Sequence, residues 1–418
     1  MSNGQHCPLA DNLASADPRS PSFVAAGQRL FLPVILGGMG LFSCVRNMDA
    51  ALLGSALLTC DLVRELRGDA SPAPTVADDI PYVLEHRAAL ERVRASVPGS
   101  VELQQWTYQS LFEKGVPDRQ QFIAEELANV ACADILRSFD VSTTEGTARY
   151  KAFVECGALK AGSWVTAGAL DYHSRLTNGE WFLSAAARQG INPYPEVSPH
   201  AICRSCNHPI GPDVVDHANH CDSCRRRAQA LRHTVVKTST IIIERKSEHG
   251  TYVTPEPFVQ AIFGGPDCMP PSSPAFIRSR ADLYVRTPGG ASYIVDVTII
   301  DATRDPSPAA TYVMGAATEL AQHEKMVQYK TRFPRLDVPS QLRVAAFDVR
   351  GGISTGTYAY FQEIIARESA SKPSTPKSVI ANRVYSRFSV SVQRSIANNI
   401  MEFRYGQVPA QLVVGAGA

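Results

Sequence analysis

Arg278-Ser-Arg-Ala-Asp-Leu-Tyr-Val-Arg-Thr-Pro-Gly-Gly-Ala-Ser-Tyr-Ile-Val-Asp-Val-Thr-Ile-Ile300 decides how this chain is read. The first run alternates and stops at a Pro-Gly-Gly turn. The second is β-branched and apolar, the pattern of a buried strand. Folded as a hairpin, the stretch brings Asp282 and Asp296 together at one edge of a sheet. Two carboxylates converging near solvent form a hard-oxygen site suited to Mg²⁺ or Mn²⁺. A predicted helix follows, carrying His323-Glu-Lys-Met-Val-Gln-Tyr329. Lys325 and Tyr329 lie four apart, so they share a helix face and can point at one place. Two acids, a hairpin and a lysine are the parts of a metal-dependent phosphodiesterase. The competing reading is that the two acids merely flank strands. An aspartate inside a Val/Ile run is costly unless paired, which makes Asp296 the more telling of the two.

In order and spacing, Asp282, Asp296 within Val-Asp-Val-Thr, and Lys325-x-x-x-Tyr329 resemble the restriction-enzyme-like endonuclease domain of site-specific non-LTR retrotransposons, a variant of the PD-(D/E)XK nuclease fold. Ala281 stands where that family has proline. Thr298 stands where a lysine is expected, so the resemblance passes the cationic role to Lys325. Glu256-Pro257 fits the family's upstream Glu-Pro, which implies Glu256 as a further member of the site. Asp301, Asp305 and Glu324 are weaker candidates for extra ligands.

Upstream lies a compact Cys/His cluster. Cys203-x-x-Cys206 makes a tight two-thiolate knuckle, and His217-x-x-x-Cys221 can close a tetrahedral Zn²⁺ site. Cys221 with Cys224, or His220 with Cys224, are alternative registers. The string from Asp216 to Cys221 resembles the knuckle that precedes the endonuclease in the same retrotransposons, which favours His217 and Cys221. A closed four-ligand site is structural, so this zinc is expected to fold the knuckle. Arg225, Arg226, Arg227, Arg232 and His233 follow at once and suit phosphate contacts on nucleic acid. The bland alternative is a solvated basic helix face.

The flanks extend the resemblance over nearly the whole chain. Arg29 to Ser43, with its Gly-Gly-x-Gly connector, resembles the start of a reverse transcriptase thumb. Ser163-Trp164 and Leu176 to Leu183 resemble the linker behind it, leading into a helix of about Gly179–Gln189. Trp164, Trp181 and Phe182 read most simply as packing residues. Helices are also predicted over 44–66, within 81–140 (apolar positions Tyr82, Leu84, Leu90, Val93, Leu111, Phe122, Ile123, Leu127) and over about Val390–Phe403.

The chain has 418 residues, enough for two or three domains with real cores. A net charge of +1 means that nucleic-acid binding must come from local patches. With no secretory leader and no bilayer-length apolar run, an intracellular, nuclear protein is expected, and its ten cysteines read as thiols and metal ligands. The expected class is α+β and multidomain. It comprises a loose segment (1–27), a helical thumb/linker region (28–199), a zinc knuckle with its basic patch (200–233), a restriction-endonuclease-like α/β domain (234–368), and a C-terminal helix and tail (377–418). The resemblance implies DNA and element RNA as partners, with target-site nicking that frees a 3′ hydroxyl for a polymerase. No aromatic-x-Asp-Asp string is present, and Asp78-Asp79 sits in a Pro-rich break. The chain is therefore expected to be the C-terminal part of such a polyprotein, or a non-cutting nucleic-acid-binding remnant of one.

Overall fold

A computed structural model describes residues 28–41, 47–56, 81–112, 119–167, 175–194, single positions between 202 and 218, 222–258, 262, 280–304, 308–333 and 338–405. They form a mixed α+β structure in two compact units, Gly27–Phe139 and a second that runs from Asp140 onward. The 1–27 segment, the tail beyond residue 405, Tyr82's side chain and Asp305 lie outside the described residues.

In the first unit, the connector between Arg29 and Leu41 folds back on itself. Gly40 N–H donates to Leu32 O at 2.9 Å, and Leu41 N–H to Leu30 O at 3.2 Å. A Cβ on Gly38 would lie 2.0 Å from Leu32 O, so only glycine fits there. Helix α1 covers 47–56, α2 Pro81–Ser96, α3 Val101–Gln105 and α4 Arg119–Arg137. On α2, Val83, Leu90 and Val93 repeat at helical spacing and, with Val97 just past its end, pack with Leu53, Leu103, Leu111 and Ile123. The sequence reading expected Leu84 in this core. It is instead 48% exposed, because the helical period starting from Val83 turns Leu84 outward.

In the second unit, Thr143 caps α5 (Thr144–Cys156), its Oγ1 accepting from Gly146 N. A capping box between Thr177 and Glu180 starts α6 (Asn178–Gln189), and Gly190 ends it at φ 66°. The 26-residue helix α7 runs Asp222–Ser247. Strands β1 (Tyr252–Pro255), β2 (Leu283–Arg286) and β3 (Ser292–Ile300) are joined antiparallel. Helices α8 (Ala316–Arg332) and α9 (Val338–Gln341) then carry the chain back to β4 (Leu342–Asp348), parallel to β3. Helices α10 (Thr355–Ser371) and α11 (Lys377–Tyr405) follow.

The strand order is β1-β2-β3-β4. The β2–β3 hairpin forms as the Thr-Pro-Gly-Gly turn dictates, but as the inner pair of strands and not at the expected sheet edge. The short β1 and the crossover strand β4 flank it, and neither has a strong local signal. The Val/Ile run of β3 is buried because both faces are covered. Val295 and Val297 join Val236, Phe347, Phe361 and Phe388 on one face, while Ile294 joins Tyr329, Phe333, Val344 and Ala346 on the other. Phe361 and Phe388 stack at 4.2 Å, and each buried ring contributes about 1.5–3 kcal/mol.

Two boundaries differ from the sequence reading. The proposed cut at 233/234 falls inside α7. The last helix begins at Lys377, well before Val390. Its first half is rich in serine and β-branched residues, weak helix signals, yet from Val384 to Val392 it is buried and its hydroxyls are used. Ser389 Oγ accepts from Trp164 N at 3.1 Å, and Ser391 Oγ pairs with Ser239 Oγ at 2.7 Å. Trp164 is buried, whereas Trp181 is 41% exposed and meets it edge-on.

Candidate active site

The strand register sets up the site. Pro255 pairs with Leu283, and Leu283 with Val295. One step further along the same row stand Glu256, just past the end of β1, Asp282, just before β2, and Asp296 within β3. Residues opposite one another in antiparallel strands point to the same face, with Cβ atoms about 4.5–5.5 Å apart. The row is tied by its backbone, since Glu256 N–H donates to Asp282 O at 2.9 Å. It is also where the β2 ladder stops. Asp282 Oδ2 takes the Val297 N–H at 2.7 Å, a position that a strand carbonyl would otherwise fill.

Two helices hold these acids, each with a pair of side chains one turn apart. On α8, Lys325 Nζ lies 3.0 Å from Asp296 Oδ1, and Tyr329 Oη donates to Asp296 Oδ2 at 2.9 Å. On α7, His233 Nε2 meets Asp282 Oδ2 at 3.0 Å, and Lys237 Nζ pairs with Glu256 Oε1. Arg280 adds a longer contact to Glu256 at 3.6 Å. Glu256 itself sits at φ 47°, an unusual conformation for a residue with a Cβ.

The environments of the two aspartates push them apart. Burial, then the nearby Asp282 charge, raises the Asp296 carboxyl above its ordinary value despite Lys325. Burial also opposes ionisation of Asp282. There the hydrogen bonds from His233 and Val297 N–H outweigh it, and its carboxyl lies below the usual range. The bond to Asp282 raises the His233 imidazole. Burial and the Asp296 charge drive the Tyr329 phenol far up, so it remains a donor.

The structure therefore gathers Asp282, Asp296, Lys325 and Tyr329 at one place. Glu256 is adjacent but does not join the two aspartates in a ligand set. Among the described residues, the group of three His, Cys, Asp or Glu side chains whose ligand atoms all lie within 4.8 Å of one another is Cys203, Cys206 and His217. These three can hold a metal ion. Cys203 is buried in the main core, Ala218 O accepts from Asn399 Nδ2 at 2.8 Å, and the cluster is thus packed within the second unit. Cys221, His220 and the side chains of Cys224, Arg225, Arg226 and Arg227 lie outside the described residues. Of the expected phosphate-binding patch, Arg232 is instead buried at 5% exposure, and His233 is turned onto Asp282. Both lie near the inward stripe of α7, which continues through Val236, Thr240, Glu244 and Ser247.

The chain matches no known family model and no curated protein.

A second acid cluster competes for attention and is closed to substrate. Glu155 is fully buried, accepting from Tyr312 Oη at 2.5 Å and Gly315 N at 2.8 Å. Burial and the neighbouring Asp348 push its carboxyl up to about 7. Asp348 is itself fully buried beneath Arg350. With no surface for a substrate, this cluster joins α5 to the end of the sheet. A cavity of about 50 Å³ lined by Trp164, Arg188, Arg350 and Gln393 can hold water but not a nucleotide.

His233 and Lys237 were the residues that sequence reasoning did not assign to the acids. Their four-residue spacing, in phase with Thr240 and Glu244, was the available signal. It was hidden because the sequence reading divided α7 between two domains.

Proposed function

We propose that the second unit is a metal-dependent phosphodiesterase that nicks DNA, of the kind found in the endonuclease domains of site-specific non-LTR retrotransposons. The observation that carries this reading is Asp296, a buried carboxylate inside an apolar strand, beside Asp282 and clamped by Lys325 and Tyr329 from the crossover helix. Nothing in a purely structural role calls for two adjacent acids with a partly exposed lysine held against one of them.

The donor set suits a hard divalent cation. Asp282 Oδ1 accepts no hydrogen bond among the described residues, and Asp296 Oδ1 is buried with only the Lys325 ammonium beside it, not along an aligned hydrogen bond. Carboxylate oxygens in this state fit Mg²⁺ or Mn²⁺, which would supply Lewis-acid polarisation and a lowered water pKa. Lys325, a third exposed, can offset charge developing on the phosphoryl oxygens. Tyr329 fixes the Asp296 carboxylate, and Glu256 pairs with Lys237 at the β1 end of the row. Arg225, Arg226 and Arg227 belong to the same reading as phosphate contacts on DNA or element RNA, and the protein then acts in the nucleus. No helix among the described residues is long and apolar enough to cross a membrane.

Cys203, Cys206 and His217 are assigned to a structural Zn²⁺, with Cys221 as fourth ligand and Cys224 or His220 as the competing registers. Purified protein is expected to contain one zinc per chain by elemental analysis. A metal-free preparation with full folding would remove this assignment.

The activity is tested on supercoiled plasmid. Conversion to open circles is expected with Mg²⁺ or Mn²⁺ and none in EDTA. Intact supercoils in both metals would overturn the proposal.

A further inference from the structure

The two oxygens of Asp282 are not equivalent. Oδ2 accepts twice, from Val297 N–H at 2.7 Å and from His233 Nε2 at 3.0 Å, while Oδ1 accepts nothing among the described residues. A single backbone donor leaves a carboxylate free to swing about it. A second donor from another direction fixes its plane. Because a carboxylate only accepts, Nε2 must carry the hydrogen, which sets the imidazole's tautomer. The imidazole comes from a helix fastened to the core through Val236 and Thr240, so its position is set by packing. A histidine serving a DNA phosphate would instead turn this nitrogen to solvent.

From this geometry we infer that His233 is a positioning residue of the cutting site, holding Asp282 Oδ2 so that Oδ1 is presented to the divalent ion. The inference rests on the phosphodiesterase reading for its purpose, but its first measurement does not need DNA cleavage. Partners that orient a ligating group are worth about 10–100-fold in metal affinity.

The test uses the full chain. Mn²⁺ binding without DNA is followed by loss of the free-ion EPR signal, and the Mn²⁺ dependence of nicking is measured in parallel. His233→Ala is expected to weaken Mn²⁺ binding, and to raise the half-saturating Mn²⁺ for nicking, by about tenfold or more. DNA affinity in EDTA should be unchanged. His233→Gln, whose amide nitrogen can reach the same oxygen, is expected to stay within about threefold of wild type on the same scale. Wild-type metal dependence in His233→Ala overturns the inference. So does weakened DNA binding in EDTA at unchanged Mn²⁺ affinity, which would make His233 a phosphate contact. A His233→Gln protein as defective as His233→Ala, with both melting early, would make the role structural and also overturn it. If wild type binds Mn²⁺ and His233→Ala weakens that binding but nothing nicks, the nuclease reading fails and the positioning role stands. If wild type nicks, Asp296→Ala does not, and His233→Ala matches wild type, the reading stands and the positioning role fails. Absence of Mn²⁺ binding by wild type sinks both.

Discussion

Asp296→Ala is expected to abolish plasmid nicking while leaving the protein folded. A lost carboxylate at a catalytic metal removes several kcal/mol of transition-state stabilisation. At 1.36 kcal/mol per tenfold, that is roughly a thousandfold or more in rate. The fold should survive because Lys325, a third exposed, can solvate its charge once its partner is gone. Asp296→Asn is the sharper control. It keeps the volume inside β3 and an acceptor for the Tyr329 hydroxyl, yet it should be equally inactive. If the asparagine variant nicked like wild type, the carboxylate would have no part in the reaction. The pair would then be idle, and the chain would fit a non-cutting, nucleic-acid-binding remnant.

The second large effect lies in the core. Glu244, fully buried in the middle of the second unit, accepts from Tyr293 Oη at 2.8 Å and Tyr360 Oη at 2.6 Å, and pairs with Arg367 at 2.8 Å. Burial together with the Glu244 charge pushes both phenols well up, so they remain donors. Glu244→Ala removes the acceptor of both hydroxyls and the counter-charge of Arg367 at once, leaving Arg367, among the described residues, only its hydrogen bond to Tyr293 Oη at 2.7 Å. Breaking one side of such a buried pair costs roughly 3–5 kcal/mol. In urea, the fluorescence transition of Trp164 and Trp181 should move to markedly lower denaturant. Glu244→Gln, which keeps an acceptor, should move it less. A Glu244→Ala protein within about 1 kcal/mol of wild type would mean that water replaces the lost carboxylate, and the site is less dry than its burial implies.

Much of the hairpin was legible from residues alone, because turn chemistry and a β-branched run are local signals. Lys325 and Tyr329 were legible too, since a four-residue spacing needs only a helix. What could not be read was anything set by non-local pairing. The inner position of β2 and β3 depends on β4, whose parallel partner is reached only through a crossover helix. Glu256 joins the acid row through a register between β1 and β2 that no local pattern announces. Glu244 and the serine-rich start of α11 are charged and polar residues in buried places, and their partners come from distant strands and helices. His233 was visible as a residue, but its role required knowing that α7 continues across the boundary that composition suggests.

Helix α7 carries His233 about 16 Å along its axis and ends in the core at Glu244 and Ser247. From Val236 to Ser247 it is anchored by burial. Adding a single residue between His233 and Val236 would turn His233 by about 100° and shift it by about 1.5 Å relative to that anchored part. The imidazole would then leave Asp282 unless the helix bulged locally. Over that short stretch the count of residues, more than their identity, is what keeps His233 and the acid row in phase.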